Sequence, residues 1–153
     1  MKEARRILTA RDIMAKSLIT FRANQSIDDA IKALLKHGIS GAPVVDDDKH
    51  LIGILSELDC LRTFSSDEFL GDEQEEAGLV EHFMSTDPQT IEPELDVYRI
   101  AHHFINGSIR RLPVVEDGRL IGQVSRRDVL RAVDAMHKKR LTRRRYPDYR
   151  EPA

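Results

Sequence analysis

The sequence contains no tryptophan and few aromatic residues of any kind, so its core has to be aliphatic. Aromatic residues make up 5% of the 153 residues, whereas the hydrophobic fraction of 41% is ordinary for a globular protein. No apolar run approaches the roughly 18 residues that a membrane-spanning helix requires. Residues 1–7 lack the apolar stretch and small-residue cleavage site of a secretory signal. The single cysteine, Cys60, excludes an intrachain disulfide, so we expect a cytoplasmic protein without a membrane partner.

Charge is distributed unevenly along the chain, although the formal net charge is only −2. Residues 64–97 contain no lysine or arginine, whereas residues 138–145 read Lys-Lys-Arg-Leu-Thr-Arg-Arg-Arg. An acidic linker and a basic tail are often simply solvated. Both segments are also compatible with an electrostatic contact to a partner chain or a polyanion.

The most informative feature that is present is an internal repeat about 70 residues long. A Pro-Val-Val run, a Leu-Ile-Gly run and a Ser-x-x-Asp motif follow one another once in each half. A long spacing that occurs only twice indicates a pair of similar halves rather than a solenoid. We expect the halves to pack about an approximate two-fold axis, with two related clefts at their seam. The matched segments are Ile39–Asp46 and Ile109–Glu116, Leu51–Gly53 and Leu120–Gly122, and Ser56–Asp59 and Ser125–Asp128.

Each half is predicted to fold as β-α-β-β-α, which makes the protein a mixed α/β (α+β) fold. Short extended segments at 17–21 and 90–91 precede a helix in each half. Ser26 and Asp96 look like the N-caps of these helices, and Gly38 and Gly107 are placed to end them. Apolar stripes follow the caps, at Ile27, Ala30, Ile31, Leu34 and Leu35, and at Val97, Ile100, Ala101, Phe104 and Ile105.

A β-hairpin follows the first helix of each half, and a second helix then opens at Ser56 or Ser125. That helix is expected to use Leu58, Leu61 and Phe64 in the first half. The second half offers Val129, Leu130 and Val133 instead. The predicted boundaries are 8–64 for the first motif, 65–79 for the acidic linker, 80–135 for the second motif and 136–153 for the basic tail.

The Ser-x-x-Asp motif has two interpretations, and the sequence leaves both open. A serine at an N-cap with an acidic residue three positions later is a capping box, which stabilises a helix by itself. The motif also follows a strand directly in both halves. A strand that feeds a helix N-terminus forms an anion site, and a carboxylate one turn into the helix can accept hydrogen bonds from a ribose.

Taken together, the Pro-Val-Val-Asp run, the polar turn and the Leu-Ile-Gly-x-x-Ser-x-x-Asp run resemble the CBS domain. Two copies in tandem over about residues 8–135 resemble a CBS pair, or Bateman module. The resemblance implies sheet-to-sheet packing about a pseudo-two-fold axis and two clefts for adenosine-containing ligands. It implies a non-catalytic regulatory protein that usually forms a homodimer. The regulatory ligands it suggests are AMP, ADP, ATP or S-adenosylmethionine, with no required cofactor.

The resemblance also implies which residues line each cleft, with the two halves contributing to both. In the Ser56 cleft, the first half supplies the serine and aspartate and the second half faces them. In the Ser125 cleft the roles of the two halves are exchanged. The adenine would be flanked by Ile54 in the Ser56 cleft and by Val124 in the Ser125 cleft. The Ser56 cleft is expected to contain Ile54, Ser56, Asp59, Thr90, Ile109, Arg110, Arg111 and Leu112. The Ser125 cleft is expected to contain Thr20, Ile39, Ser40, Gly41, Ala42, Val124, Ser125 and Asp128.

The two copies differ where Ser40-Gly41 in the first corresponds to Arg110-Arg111 in the second. Guanidinium groups are suited to phosphate oxygens, so a phosphate-bearing ligand is expected to depend on these arginines, unless they form a solvated surface. No metal site is expected, because the six histidines have no cysteine or carboxylate at metal-ligand spacing. Nor does any motif indicate catalysis.

Two other functions stay open beside a nucleotide-binding regulator that acts on an unknown effector protein. The basic tail, with Tyr146 and Tyr149 nearby, could bind nucleic acid or another polyanion. A degenerate pair could also serve as a ligand-free dimerisation platform.

Overall fold

Two similar halves, each built around an antiparallel β-hairpin, make up the fold. The structure is a computed structural model that describes residues 6–64 and 78–143. Most of the predicted linker and residues 144–153 of the predicted tail therefore lie outside the described residues. The first half contains α1 (Ala10–Ile13), α2 (Ile27–His37), β1 (Gly41–Val45), β2 (Leu51–Ser56) and α3 (Glu57–Phe64), and the second contains α4 (Val80–Phe83), α5 (Val97–Asn106), β3 (Arg111–Glu116), β4 (Arg119–Ser125) and α6 (Arg126–Arg143).

The predicted first strand of each half is reduced to a single parallel bridge. Phe21 pairs with β1 and Ile91 pairs with β3 in this way. The amide of Phe21 donates to the carbonyl of Pro43 at 2.9 Å, and the amide of Ile91 donates to the carbonyl of Pro113 at 3.0 Å. Extending either parallel pairing toward the N-terminus would require an N–H from that same proline. Because proline has none, the ladder stops after one step.

The predicted caps of α2 and α5 are confirmed. Ser26 Oγ accepts a hydrogen bond from the amide of Asp29 at 3.1 Å, and Asp96 Oδ1 accepts one from the amide of Arg99 at 2.9 Å. The two glycines end their helices differently. Gly38 has a left-handed φ of 62°, whereas Gly107 is extended with a φ of −123°.

The segment before each half packs on the opposite half. We call residues 8–15 and 78–85 the leader segments. The first contributes the fully buried Ala10 to the core of the second half, and the second contributes the fully buried Val80 to the core of the first. Isolated bridges join Ala15 to Gln123 in β4 and Ser85 to Ile54 in β2. The halves are therefore exchanged at their N-terminal ends and cannot be separated at the linker.

Only part of each predicted apolar stripe reaches a core. Leu35 in α2 and Ile105 in α5 hold matched positions, and they are 77% and 75% exposed. In α3 the predicted leucines and Phe64 also face outward, while Cys60 and Thr63 are buried. In α6 Val129 is buried as predicted, and Leu130 and Val133 are exposed.

Helix α6 runs across the predicted boundary at residue 135 as far as Arg143. The basic run therefore begins in a helix that continues from the second motif. In the part of the chain that the structure describes, no helix is both long and apolar enough to cross a membrane.

Candidate functional site: a cleft between the two halves

Both Ser-x-x-Asp motifs form reciprocal capping boxes at the junction of a strand and a helix. In the first half, the amide and hydroxyl of Ser56 donate to Asp59 Oδ2 at 2.9 and 3.0 Å. The amide of Asp59 donates back to Ser56 Oγ at 3.2 Å. Ser125 and Asp128 repeat this arrangement with the same distances. The capping interpretation is confirmed, and it fixes the orientation of each aspartate.

The second carboxylate oxygen of each aspartate remains outside the capping box. Asp59 Oδ1 lies 3.3 Å from an Arg62 nitrogen, and Asp128 Oδ1 lies 3.5 Å from an Arg131 nitrogen. The Asp59 side chain is 4% exposed and the Asp128 side chain is 16% exposed. Each helix start therefore holds an ordered carboxylate with one oxygen that can accept a hydroxyl donor.

A cleft of about 590 Å³ lies at the seam beside Ser56. It combines residues of the first half with the loop that leads into β3. Five residues predicted for the Ser56 cleft line it, and so does Ser40, which was predicted for the other cleft. The complete lining is Ser40, Ile54, Ser56, Glu57, Leu58, Leu61, Ser85, Pro88, Gln89, Ser108, Ile109, Arg110 and Arg111.

Several predicted residues lie elsewhere. Thr90 is exposed, and the neighbouring Pro88 and Gln89 take the place expected for it. Asp59 is not part of the lining because its side chain is buried behind Ser56. The side chains of Ala42, Leu112 and Val124 point into the two cores and are at most 1% exposed.

The assignment of Val124 as the counterpart of Ile54 was wrong in register. Ile54 stands two residues before Ser56, so the matched residue two before Ser125 is Gln123. The bridges confirm this match, because Ser85 pairs with Ile54 and Ala15 pairs with Gln123. Successive side chains of a strand point to opposite faces, so Val124 enters the core of the second half and Gln123 does not.

Sequence reasoning also missed the part of the lining that belongs to the second leader segment and its continuation. Ser85, Pro88 and Gln89 reach the cleft because that segment crosses to the first half. The matched Met14 and Met84, near the ends of the two leader segments, show that the repeat extends into them. Nothing in the sequence indicated that these segments change sides.

Arg111 crosses the seam and donates a hydrogen bond to Ser40 Oγ. Gly41 makes this contact sterically allowed, because a Cβ at that position would lie 2.6 Å from a guanidinium nitrogen of Arg111. Burial lowers the pKa of Arg111, and the neighbouring charge of Arg110 lowers it further while Glu57 opposes both. Within the described residues, no carboxylate pairs with the Arg111 guanidinium. The cleft thus holds a partly desolvated cation that favours an anion.

The structure brings the Ser125 cleft together less completely. Thr20 lines a smaller cavity of about 190 Å³ with Lys16 and Lys49. That lining does not include Ser125. Ser40 and Gly41 lie at the seam beside Arg111, and Ile39 packs against the core of the first half.

One group of side chains contradicts the expectation that no histidine has a carboxylate at metal-ligand spacing. Asp46, Asp48 and His50 converge in the β1–β2 turn, with potential ligand atoms within 4.8 Å of one another. Both carboxylate oxygens of Asp46 already contact other groups within this turn. Its Oδ1 accepts from the amides of Asp48 and His50 at 2.9 Å, and its Oδ2 lies 3.3 Å from His50 Nδ1. These contacts explain the proximity of the three side chains as part of the turn structure, without a metal ion.

These features define a tandem α+β module whose cleft is shared between two repeats. The family model of the CBS domain matches residues 10–66 and 80–135. The chain therefore belongs to the CBS domain family and contains the domain twice, as predicted.

Curated relatives agree with this assignment. A CBS domain-containing protein of Dictyostelium discoideum is 35% identical over 127 residues, which cover 78% of this chain and 87% of that protein. The uncharacterized protein MJ1225 of Methanocaldococcus jannaschii is 31% identical over 121 residues, which cover 79% of this chain. The chain spans 41% of the length of MJ1225 and 14% of an A-adding tRNA nucleotidyltransferase of Aquifex aeolicus.

Two similar solved structures contain adenosine compounds. The crystal structure of CBSX2 in complex with AMP has a TM-score of 0.74 and 29% identity, and it covers 84% of this chain and 98% of that one. The CBS domain pair of MJ0100 in complex with 5′-methylthioadenosine and S-adenosyl-L-methionine has a TM-score of 0.67 and 29% identity. It covers 86% of this chain and 99% of that one.

Proposed function

We propose that the protein is a non-catalytic regulatory module that binds an adenosine nucleotide or S-adenosylmethionine between its two CBS motifs. The observation that carries the proposal is the Ser56 cleft, where a helix N-terminus of one half faces two arginines of the other. An anion there gains from the positive end of the α3 dipole and from Arg110 and Arg111, whereas the amides of Ser56, Glu57 and Asp59 are already hydrogen-bonded within the protein. The adenosine compounds bound by similar CBS pairs support the choice of ligand.

Each group of the ligand has a suitable partner in the Ser56 cleft. Ile54 offers an apolar surface beside a purine ring. We assign Asp59 Oδ1 to a ribose hydroxyl, which requires the ligand to displace the Arg62 contact and to reach a carboxylate that does not line the cleft in this structure. Arg110 and Arg111 then bind the phosphate, and the backbone of residues 109–111 completes the site together with Pro88 and Gln89, which stand where Thr90 was expected.

By the internal repeat, Ser125 and Asp128 form the corresponding site with Thr20 and residues 39–42. This Ser125 cleft has no arginine at positions 40 and 41. We expect it to bind phosphate less strongly than the Ser56 cleft does.

Asparagine at Asp59 separates the ribose role of this residue from its capping role. Asn keeps one oxygen for Ser56, but it replaces the second acceptor with an N–H₂ group that cannot accept a ribose hydroxyl. Asp128→Asn makes the same change in the Ser125 cleft, so each variant is the matched control of the other. Isothermal titration calorimetry with AMP, ADP, ATP and S-adenosylmethionine measures binding. Each variant is expected to lose about tenfold in affinity at its own cleft.

The phosphate role of Arg111 has a separate test. Arg111→Gln keeps a donor for Ser40 and removes the charge, so it is expected to weaken AMP binding and leave adenosine binding unchanged. If none of the four ligands binds the wild-type protein at millimolar concentration, the proposed function is wrong.

Ligand binding has to change a geometry that a partner can detect, and the two halves share the cleft, so the angle between them can change. A ligand that prefers one arrangement shifts the population toward it. We propose that this change alters the geometry of a homodimer, or the binding of an unidentified effector protein, in the cytoplasm. Leu130 and Val133, apolar and exposed on α6, support a contact with a second copy. Leu130→Glu is expected to reduce the mass measured by light scattering, and an unchanged mass would exclude this face.

A further inference from the structure

Gln123 carries a buried polar atom that the capping boxes and the Ser56 cleft do not use. Its Oε1 is buried and has no hydrogen-bond partner among the residues that the structure describes. A buried amide oxygen without a partner destabilises a protein, and native structures usually provide a ligand, an ion or a water for it.

The repeat relates Gln123 to a residue of the Ser56 cleft. Ile54 lines that cleft, and it is bridged to Ser85 of the second leader segment. Gln123 occupies the same position in β4 and is bridged to Ala15 of the first leader segment. The next residue, Val124, faces the core, so the Gln123 side chain lies on the opposite face of the strand. By the repeat, this face corresponds to the wall that Ile54 forms in the Ser56 cleft.

We propose that Gln123 determines the specificity of the Ser125 cleft by accepting a hydrogen bond from an amino group on the ligand's base. The 6-amino group of adenine is a donor of this kind. The inference rests on the proposed function and makes it more specific. In the Ser56 cleft, Ile54 offers the base an apolar contact instead of an acceptor. The two clefts are therefore expected to differ in their preference for a base with an amino group as well as in their affinity for phosphate.

A site that is built to pair with a donor discriminates against a ligand that lacks it, because the buried carbonyl then stays unpaired. The closing experiment compares AMP with purine riboside 5′-monophosphate, which differs from AMP by the missing amino group. Calorimetry on the full chain measures both affinities in the Asp59→Asn background, which weakens the Ser56 cleft, and a two-site fit gives the affinity of the Ser125 cleft.

Gln123→Ile gives the Ser125 cleft the residue of the other cleft. The preference for AMP over the purine analogue is expected to be about tenfold with Gln123 and to fall below about threefold with isoleucine. The matched control Ile54→Val should leave the preference unchanged. The ligand-free Gln123→Ile protein should melt no lower than its parent, because a buried unpaired carbonyl has been removed.

The possible outcomes separate the inference from the function. If neither the wild-type protein nor the Asp59→Asn variant binds AMP at millimolar concentration, both the proposed function and this inference are wrong. If AMP binds and Gln123→Ile keeps the preference, the inference alone is overturned. A lower melting temperature together with an unchanged preference would make Gln123 a structural residue and would equally overturn it.

Discussion

Alanine at Gly53 tests whether the second leader segment is built into the sheet of the first half. A Cβ at this position would lie 2.7 Å from Met84 Sδ and 2.9 Å from the carbonyl oxygen of Ser85. The sulfur can move aside. The carbonyl is fixed, because it accepts a hydrogen bond from the amide of Ile54 at 3.0 Å. The leader segment therefore has to shift before the added methyl group fits.

The cost follows from two contributions. Overpacking a well-packed site costs about 1–3 kcal/mol. Straining the two hydrogen bonds between Ser85 and Ile54 adds about 1 kcal/mol. Gly53→Ala should therefore lower the free energy of unfolding by about 2–4 kcal/mol, which urea denaturation measures as a lower midpoint at an unchanged m-value.

Gly122 provides the matched control in the second half. The nearest atoms to a Cβ there all belong to the Met14 side chain, which is flexible. Gly122→Ala should therefore cost less than Gly53→Ala, about 1–2 kcal/mol. Adding Met14→Ala should recover much of that loss, whereas Met84→Ala should rescue Gly53→Ala only in part because the Ser85 carbonyl remains. The reasoning is refuted if Gly53→Ala stays within about 0.5 kcal/mol of wild type, or if Met14→Ala and Gly122→Ala are additive.

Three further predictions concern helix ends. Ser26→Ala removes the acceptor for the Asp29 amide and should cost about 1 kcal/mol in urea denaturation. Gly38→Ala should lower the free energy of unfolding by about 1 kcal/mol because its φ of 62° is left-handed, although no atom lies within 4 Å of the added Cβ; an unchanged free energy of unfolding would contradict this. The hydrogen bond from the Thr9 amide holds the pKa of Asp12 below its ordinary value. The ionised Asp12 therefore stabilises the fold at pH values above its unfolded pKa of about 4, and this stabilisation is lost as the pH falls through the lower folded pKa. Asp12→Asn should accordingly have a lower free energy of unfolding than wild type at neutral pH, and the difference should vanish in acid.

Much of the fold could be predicted because its signals are local. The N-caps at Ser26 and Asp96 are set by side chains that reach amides three residues away. The capping boxes at Ser56 and Ser125 have the same short range. The repeat also predicted a seam between two similar halves, because such halves usually pack about an approximate two-fold axis.

Prediction failed where a residue's role depends on a distant segment. Leu35 and Ile105 fit an apolar helical stripe, but they lie at its edge and are exposed. Which edge of the stripe is buried depends on how the helix packs against the rest of the protein. Val124 was assigned to a cleft although strand alternation sends it into a core. Gln89 gave no signal because it reaches the Ser56 cleft through a leader segment that has changed sides.

The sequence by itself determined that the protein is a pair of CBS motifs with a strand-to-helix capping box in each. These are properties of short, repeated patterns. Only the tertiary structure decided that the leader segments are exchanged, that Arg111 reaches Ser40 over Gly41, and that Gln123 rather than Val124 is the counterpart of Ile54. The Arg111–Ser40 contact joins residues 71 positions apart, and a local sequence pattern does not specify which distant surfaces meet.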